Sequence, residues 1–142
     1  KLKPLGYLKD FAYAGLDPDR MGLGPVFATA KLLKKSGVRF EDIDLIEINE
    51  AFAAQVIACK KAFESDEFAK KELGLESAIG KIDDKILNVN GGGISLGHPV
   101  GMSGSRIIIH ALKELGRRKK KTALATLCVG GGQGGACLLE TE

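Results

Sequence analysis

The sequence predicts an α/β fold: a mixed five-stranded sheet covered by helices, in the order β-α-β-α-β-α-β-β. Three observations carry this reading. Short apolar runs alternate with longer segments of helical periodicity, the pattern of strands joined by helical crossovers. The last two apolar runs are separated only by a glycine cluster, which leaves room for an antiparallel hairpin and none for a crossover. The 142 residues are 44% hydrophobic and 27% charged. Those are the proportions of an ordinary globular domain, long enough to bury a core without disulfides or metals.

Each element has its own signal. Residues 5–14 are rich in aromatic and apolar side chains and read as a strand. Residues 15–25 read as a loop, with Asp17-Pro18, Gly22 and Gly24. Pro25 suits the first turn of a helix that runs from Val26, with Ala30 and Leu33 at helical spacing and Gly37 as its stop. Ile43–Ile48 alternates as a strand, and Asn49 opens a helix over Glu50–Phe63. The charged stretch 64–85 holds a short helix and a loop. Ile86–Val89 is a short strand, followed by a glycine-rich loop over 90–102 and a helix from Ser103 to Leu115 that ends at Gly116. Thr122–Val129 is an apolar strand, 130–135 a tight turn, and Ala136–Leu139 the last strand. No linker, repeat or low-complexity tract interrupts the chain, so 1–142 reads as one domain.

Composition excludes several classes of function. A net charge of +3, with two Tyr and no Trp, does not point to nucleic acid. The basic run Arg117–Lys121 reads as a solvated helix end, where cations suit the negative pole of the dipole, in preference to a phosphate patch. Three cysteines without paired spacing argue against a disulfide framework and for a reducing compartment. No Cys/His cluster has metal-ligand spacing, so no metal is expected. No apolar run approaches the ~20 residues of a membrane span, and no signal peptide is visible. The first residue is Lys1, so the expectation is a chain that begins after processing or within a longer protein.

The glycines mark where chemistry would sit. Of 19, six lie in residues 88–106 and five in 130–135. Glycine clusters let backbone approach a ligand closely. The first cluster holds His98 and the second follows Cys128. Asn49 sits at a third strand-to-helix junction. All three follow the carboxyl end of an expected strand, where open α/β sheets bind their ligands. Taken singly, each has a structural reading: Asn49 as a helix N-cap, His98 as a capping loop residue, Cys128 as an inert core thiol. Residues 130–135 also satisfy GxGxxG, but only seven residues follow and they read as a strand, so the helix a dinucleotide site needs is missing.

Together the three segments carry a resemblance. Asn49-Glu50-Ala51-Phe52-Ala53 resembles the NEAF motif of thiolases, Asn88 to Gly101 resembles their GHP loop, and Cys128 to Gly135 their C-terminal CxG motif. The order and spacing match too, and the likeness runs from about Pro4 to Glu140. The chain is thereby identified as resembling the C-terminal half of the thiolase fold, with the N-terminal domain absent. The resemblance implies an acyl-CoA C-acyltransferase that runs ping-pong Claisen condensation or thiolytic cleavage of 3-ketoacyl-CoA. His98 would activate a nucleophilic cysteine and, with a water held by Asn49, form one oxyanion hole. Cys128 would be the general acid/base, for which a somewhat lowered thiol pKa suits the task. The backbone N–H of Gly130 would serve the second oxyanion hole, and Phe52 would line the pantetheine path. The nucleophile itself lies in the family's N-terminal half, so this chain alone should lack the covalent step. Cys59 and Cys137 match no nucleophile motif and read as structural.

The resemblance also implies partners: acyl-CoA and CoA as substrates with no separate cofactor, the N-terminal thiolase domain, and a homo-oligomer in the full enzyme. An apolar helix face around Ala51, Ala54 and Ala58 should be left exposed for packing. The localisation implied is cytoplasmic, or an organelle matrix if a targeting peptide precedes the chain. The charged segment Glu64–Asp84 is longer than in short-chain biosynthetic thiolases and looks more like the degradative enzymes. Two other readings stand beside this one: a non-catalytic thiolase-like lipid carrier or scaffold, and a naturally split thiolase.

Overall fold

A four-stranded mixed sheet forms the middle layer of the computed structural model, which describes residues 2–142. Strands β1 (Tyr7–Gly15), β2 (Leu45–Ile48), β3 (Thr122–Val129) and β4 (Gln133–Glu140) lie in the order β1-β4-β3-β2. β4 pairs antiparallel with both β1 and β3, while β2 pairs parallel with β3, Ile48 opposite Thr126.

The side chains of the sheet alternate between two cores, as a period of two requires. On one face, Ile46, Ile48, Leu124 and Leu138 pack against α1 (Gly24–Ser36) and α2 (Ala53–Phe63), through Val26, Ala28, Leu32, Cys59 and Phe63. On the other, Leu45, Ala123, Ala125 and Leu139 pack against the long helix of residues Val100–Arg118 through Ile107, Ala111, Leu112 and Leu115. Pro25 sits in the first turn of α1, and Gly37 ends it in the left-handed conformation at φ 69°. Both follow from the sequence.

Five expectations need correction. The strand at Ile86–Val89 shrinks to one bridge between Leu87 and Ile46, so the sheet has four strands, not five. Asn88 ends the pairing: its backbone turns to φ 45°, and its side chain takes over the bonding by accepting from Ile48 N–H and donating to Ile48 C=O. α2 begins at Ala53, not Glu50. The charged stretch that follows forms α3 (Asp66–Phe68), capped by Ser65, and a wide helical turn at Ala69–Leu73. The glycine-rich loop contains a one-turn helix, α4 (Gly93–Leu96). The helix expected from Ser103 to Leu115 is α5 (Val100–Arg118), which runs through Gly116 and stops at Lys119. Finally β4 starts at Gln133, not Ala136. Gly134 belongs to the strand because α1 enters against it, and a Cβ there would sit 2.1 Å from the Gly24 carbonyl oxygen.

Candidate active site

The carboxyl ends of the parallel pair β2 and β3 place Asn49 and Cys128 on one edge of the sheet. Asn49 donates its backbone N–H to the Thr126 carbonyl at 3.0 Å, which extends the ladder to its last rung, two residues before Cys128. The chain leaves β2 in extended form at Phe52, whose side chain is 62% exposed. Asn49 is therefore no cap for α2. It is buried, and its amide Nδ2 lies 3.4 Å from His98 Nε2. Its Oδ1, also buried, has no hydrogen-bond partner among the described residues.

His98 is exposed and stands just before α5. Its second ring nitrogen, Nδ1, lies 2.6 Å from the hydroxyl of Ser103, a residue with no exposed surface in the first turns of that helix. The loop that carries His98 is fastened to β2 by Glu50. This carboxylate accepts from the Ile94 N–H at 2.9 Å, inside α4, and from Asn88 Nδ2 at 3.0 Å. The glycines are needed here: a Cβ at Gly92 would meet the Glu50 carboxyl carbon at 2.5 Å. The far side of the loop is held by Asn90, which donates to Glu114 of α5 at 3.0 Å.

Cys128 is buried, and no hydrogen bond joins it to Asn49 or His98 among the described residues. Burial pushes its thiol up, against a weaker opposing backbone hydrogen bond, so the lowered thiol expected from the sequence is not what this domain produces. Gly130 is exposed at the first position of the β3–β4 turn, and a side chain there would meet nothing within 4 Å. Packing within the domain does not require a glycine at that position.

Of the other two thiols, Cys59 is fully buried, donates to the Gly22 carbonyl at 3.2 Å and is pushed up to about 12 by burial. Cys137 is half-buried in β4. The basic run is likewise accounted for: Arg117 and Arg118 both donate to Glu114, and Lys120 pairs with Asp44 at 3.1 Å. Ala54 and Ala58 are exposed together with Ile57, while Ala51 is half-buried.

Ser103, Glu50, Asn88 and Glu114 were not singled out from the sequence. Glu50 and Asn88 lie inside the quoted motifs and were legible as positions, but only the fold reveals what they bind. Ser103 follows His98 by five residues, a spacing that becomes a contact only because α5 starts at Val100.

The profile of the thiolase C-terminal domain matches residues 2–141. The chain is 45% identical over 141 residues to the 3-ketoacyl-CoA thiolase of Shewanella loihica, covering 99% of this chain and 32% of that protein. It is 49% identical over 139 residues to the acetyl-CoA acetyltransferase of Chromobacterium violaceum, covering 98% and 31%. Among solved structures, human mitochondrial 3-ketoacyl-CoA thiolase superposes with a TM-score of 0.83 at 41% identity, over 99% of this chain and 31% of that one; it has also been solved in complex with CoA. The chain spans about a third of the length of these relatives.

Proposed function

The chain belongs to the thiolase family as its C-terminal domain, and from that premise we propose that it is the C-terminal catalytic half of an acyl-CoA C-acyltransferase. In this reading it contributes to the reversible Claisen condensation and thiolytic cleavage of 3-ketoacyl-CoA. The observation that carries the proposal is the contact between Asn49 and His98, 49 residues apart, on the sheet edge where β3 delivers Cys128.

The chemistry follows from that placement. A nucleophilic cysteine in the N-terminal half gives its proton to His98 and takes the acyl group as a thioester. Asn49 holds a water that, together with the Nε2–H of His98 once it has taken that proton, faces the developing oxyanion. Cys128 removes the α-proton of acetyl-CoA in condensation and returns it to the enolate in cleavage. The raised thiol makes Cys128 the stronger base once ionised and keeps it protonated at rest, as the cleavage direction needs. The N–H of Gly130 faces the second oxyanion, and the exposed ring of Phe52 lines the pantetheine path. Acyl-CoA and CoA are substrates, and no further cofactor enters. The stripe of Ala54, Ile57 and Ala58 packs against the N-terminal domain, and complete enzymes pair as homo-oligomers. The long charged segment before residue 85 favours degradative, 3-ketoacyl-CoA cleaving work, in the cytoplasm or an organelle matrix.

Thiolysis of acetoacetyl-CoA by free CoA tests the division of labour. Activity is expected only when this chain is joined to an N-terminal thiolase half. Robust activity of the 142 residues alone would put the nucleophile at Cys59, Cys128 or Cys137 and overturn the assignment.

A further inference from the structure

We propose that Ser103 is a positioning residue that fixes the tautomer of His98, keeping its proton on Nδ1 so that Nε2 is the nitrogen that carries the lone pair. The proposal rests on the role given to His98 above. Ser103 Oγ lies 2.6 Å from His98 Nδ1, and Ser103 is fully buried, so the hydroxyl is set by the packing of α5 and not by solvent. The other ring nitrogen faces Asn49 Nδ2 at 3.4 Å, an amide nitrogen that can only donate.

These two contacts select one proton arrangement. If Ser103 donated its O–H to Nδ1, the neutral ring would carry its proton on Nε2, and two N–H donors would face each other across the Asn49 contact. The reverse arrangement gives each ring nitrogen a complementary partner: Nδ1–H donates to Ser103 Oγ, and Nε2 accepts from Asn49 Nδ2. An imidazole has one acceptor nitrogen in its neutral form, and which one it is depends on the bond made by the other. Nε2 then takes the proton of the attacking thiol, leaving a thiolate and an imidazolium whose Nδ1–H···Oγ bond is undisturbed. When CoA thiolate leaves, Nε2 returns the proton to its sulfur and the ring is neutral again in the same tautomer. His98 is on a glycine-rich loop, whereas Ser103 is in a 19-residue helix, so the bond ties the loop to a regular element.

The test uses the complete enzyme, this chain joined to an N-terminal thiolase half, with 15N-labelled histidine. The His98 signal is assigned by its loss in His98→Gln. The neutral ring of the wild type should be protonated at Nδ1 and bare at Nε2. In Ser103→Ala the two tautomers should mix, and kcat for thiolysis should fall about 10- to 100-fold, the loss typical when a partner orienting an imidazole is removed. KM should stay within about two-fold, because the substrate contacts are untouched. A wild-type ring protonated at Nε2, or an unchanged kcat in Ser103→Ala, overturns the proposal. If Ser103→Ala does not fold, the wild-type spectrum decides alone. Full thiolysis by His98→Gln would instead overturn the role of His98, and the spectrum would still decide the tautomer.

Discussion

The two ends of the sheet are built from similar residues and treated in opposite ways. At the end where β3 begins, polar groups are saturated. Asp44 accepts the N–H groups of Lys121 and Thr122 and pairs with Lys120. Burial raises its carboxyl, but those donors outweigh it and hold the group below the usual carboxylate range. Thr141 closes the same end by donating to the carbonyls of Lys120 and Lys121. At the other end, among the described residues, Asn49 Oδ1 is buried without a partner, Cys128 bonds to neither Asn49 nor His98, and His98 is exposed. A domain that satisfies its polar atoms at one edge can do so at the other. In the proposed function, the open edge is where a bound thioester would complete the bonding.

The largest effects should come from the open edge and leave folding alone. In the complete enzyme, Cys128→Ala should lower condensation about 10²- to 10⁴-fold, the range for a lost general base, while burst acylation by acetoacetyl-CoA survives. Normal condensation by this variant would remove Cys128 from the mechanism. Melting temperature should barely move.

Glycine substitutions sharpen the contrast. Gly134→Ala forces a methyl against the Gly24 carbonyl and should cost about 1–3 kcal/mol in urea unfolding. Gly130→Ala meets open space and should change stability by less than about 0.5 kcal/mol. Thiolysis should nevertheless drop if, as proposed, the N–H of Gly130 faces the thioester oxyanion. Equal stability losses in the two variants would mean that the β3–β4 turn is packed against something unseen in the domain.

Two carboxylates beneath the site give smaller, pH-dependent effects of opposite sign. Glu47 lies in β2 and is buried; burial first, then Glu50 and Glu114, push its carboxyl up to about 7, against the pull of Arg106. Its folded value exceeds its usual 4.5, so it stabilises the fold least once ionised, and stability should fall as pH rises from 4.5 through 7. Glu47→Gln should flatten that fall in thermal melts between pH 5 and 8; an identical slope in both proteins would refute the burial argument. Glu114 behaves the other way. Arg117 first, helped by Asn90 and Arg118 and opposed by burial, holds it at about 2. Its contribution is present above the usual 4.5 and is lost as pH falls toward 2, so Glu114→Gln should converge with the wild type only in that acid range.

Legibility in the sequence followed the range of the interactions. The ends of α1 were readable because Pro25 and Gly37 act on their own backbone. β2 was readable from the alternation of Ile43–Ile48, and β3 from its apolar run, the mark of a strand buried on both faces. The start of α2 was misread because Asn49 is a strong N-cap in isolation, yet its backbone N–H continues the ladder to Thr126 and its amide nitrogen faces His98. The fifth strand was misread because Ile86–Val89 has the composition of a strand, while the Asn88 side chain replaces the ladder after one bridge.

By itself the sequence determined the α/β class, the family likeness and the three segments that carry Asn49, His98 and Cys128, since these depend on residue type and spacing along the chain. Only the tertiary structure decided what each polar atom touches: that Asn49 faces His98, that Glu50 pins the loop at Ile94, that Ser103 stands behind the imidazole. The physical reason is that a hydrogen bond is made or lost within a few tenths of an ångström. Residues 5 or 49 positions apart reach that distance only after the sheet and α5 have packed.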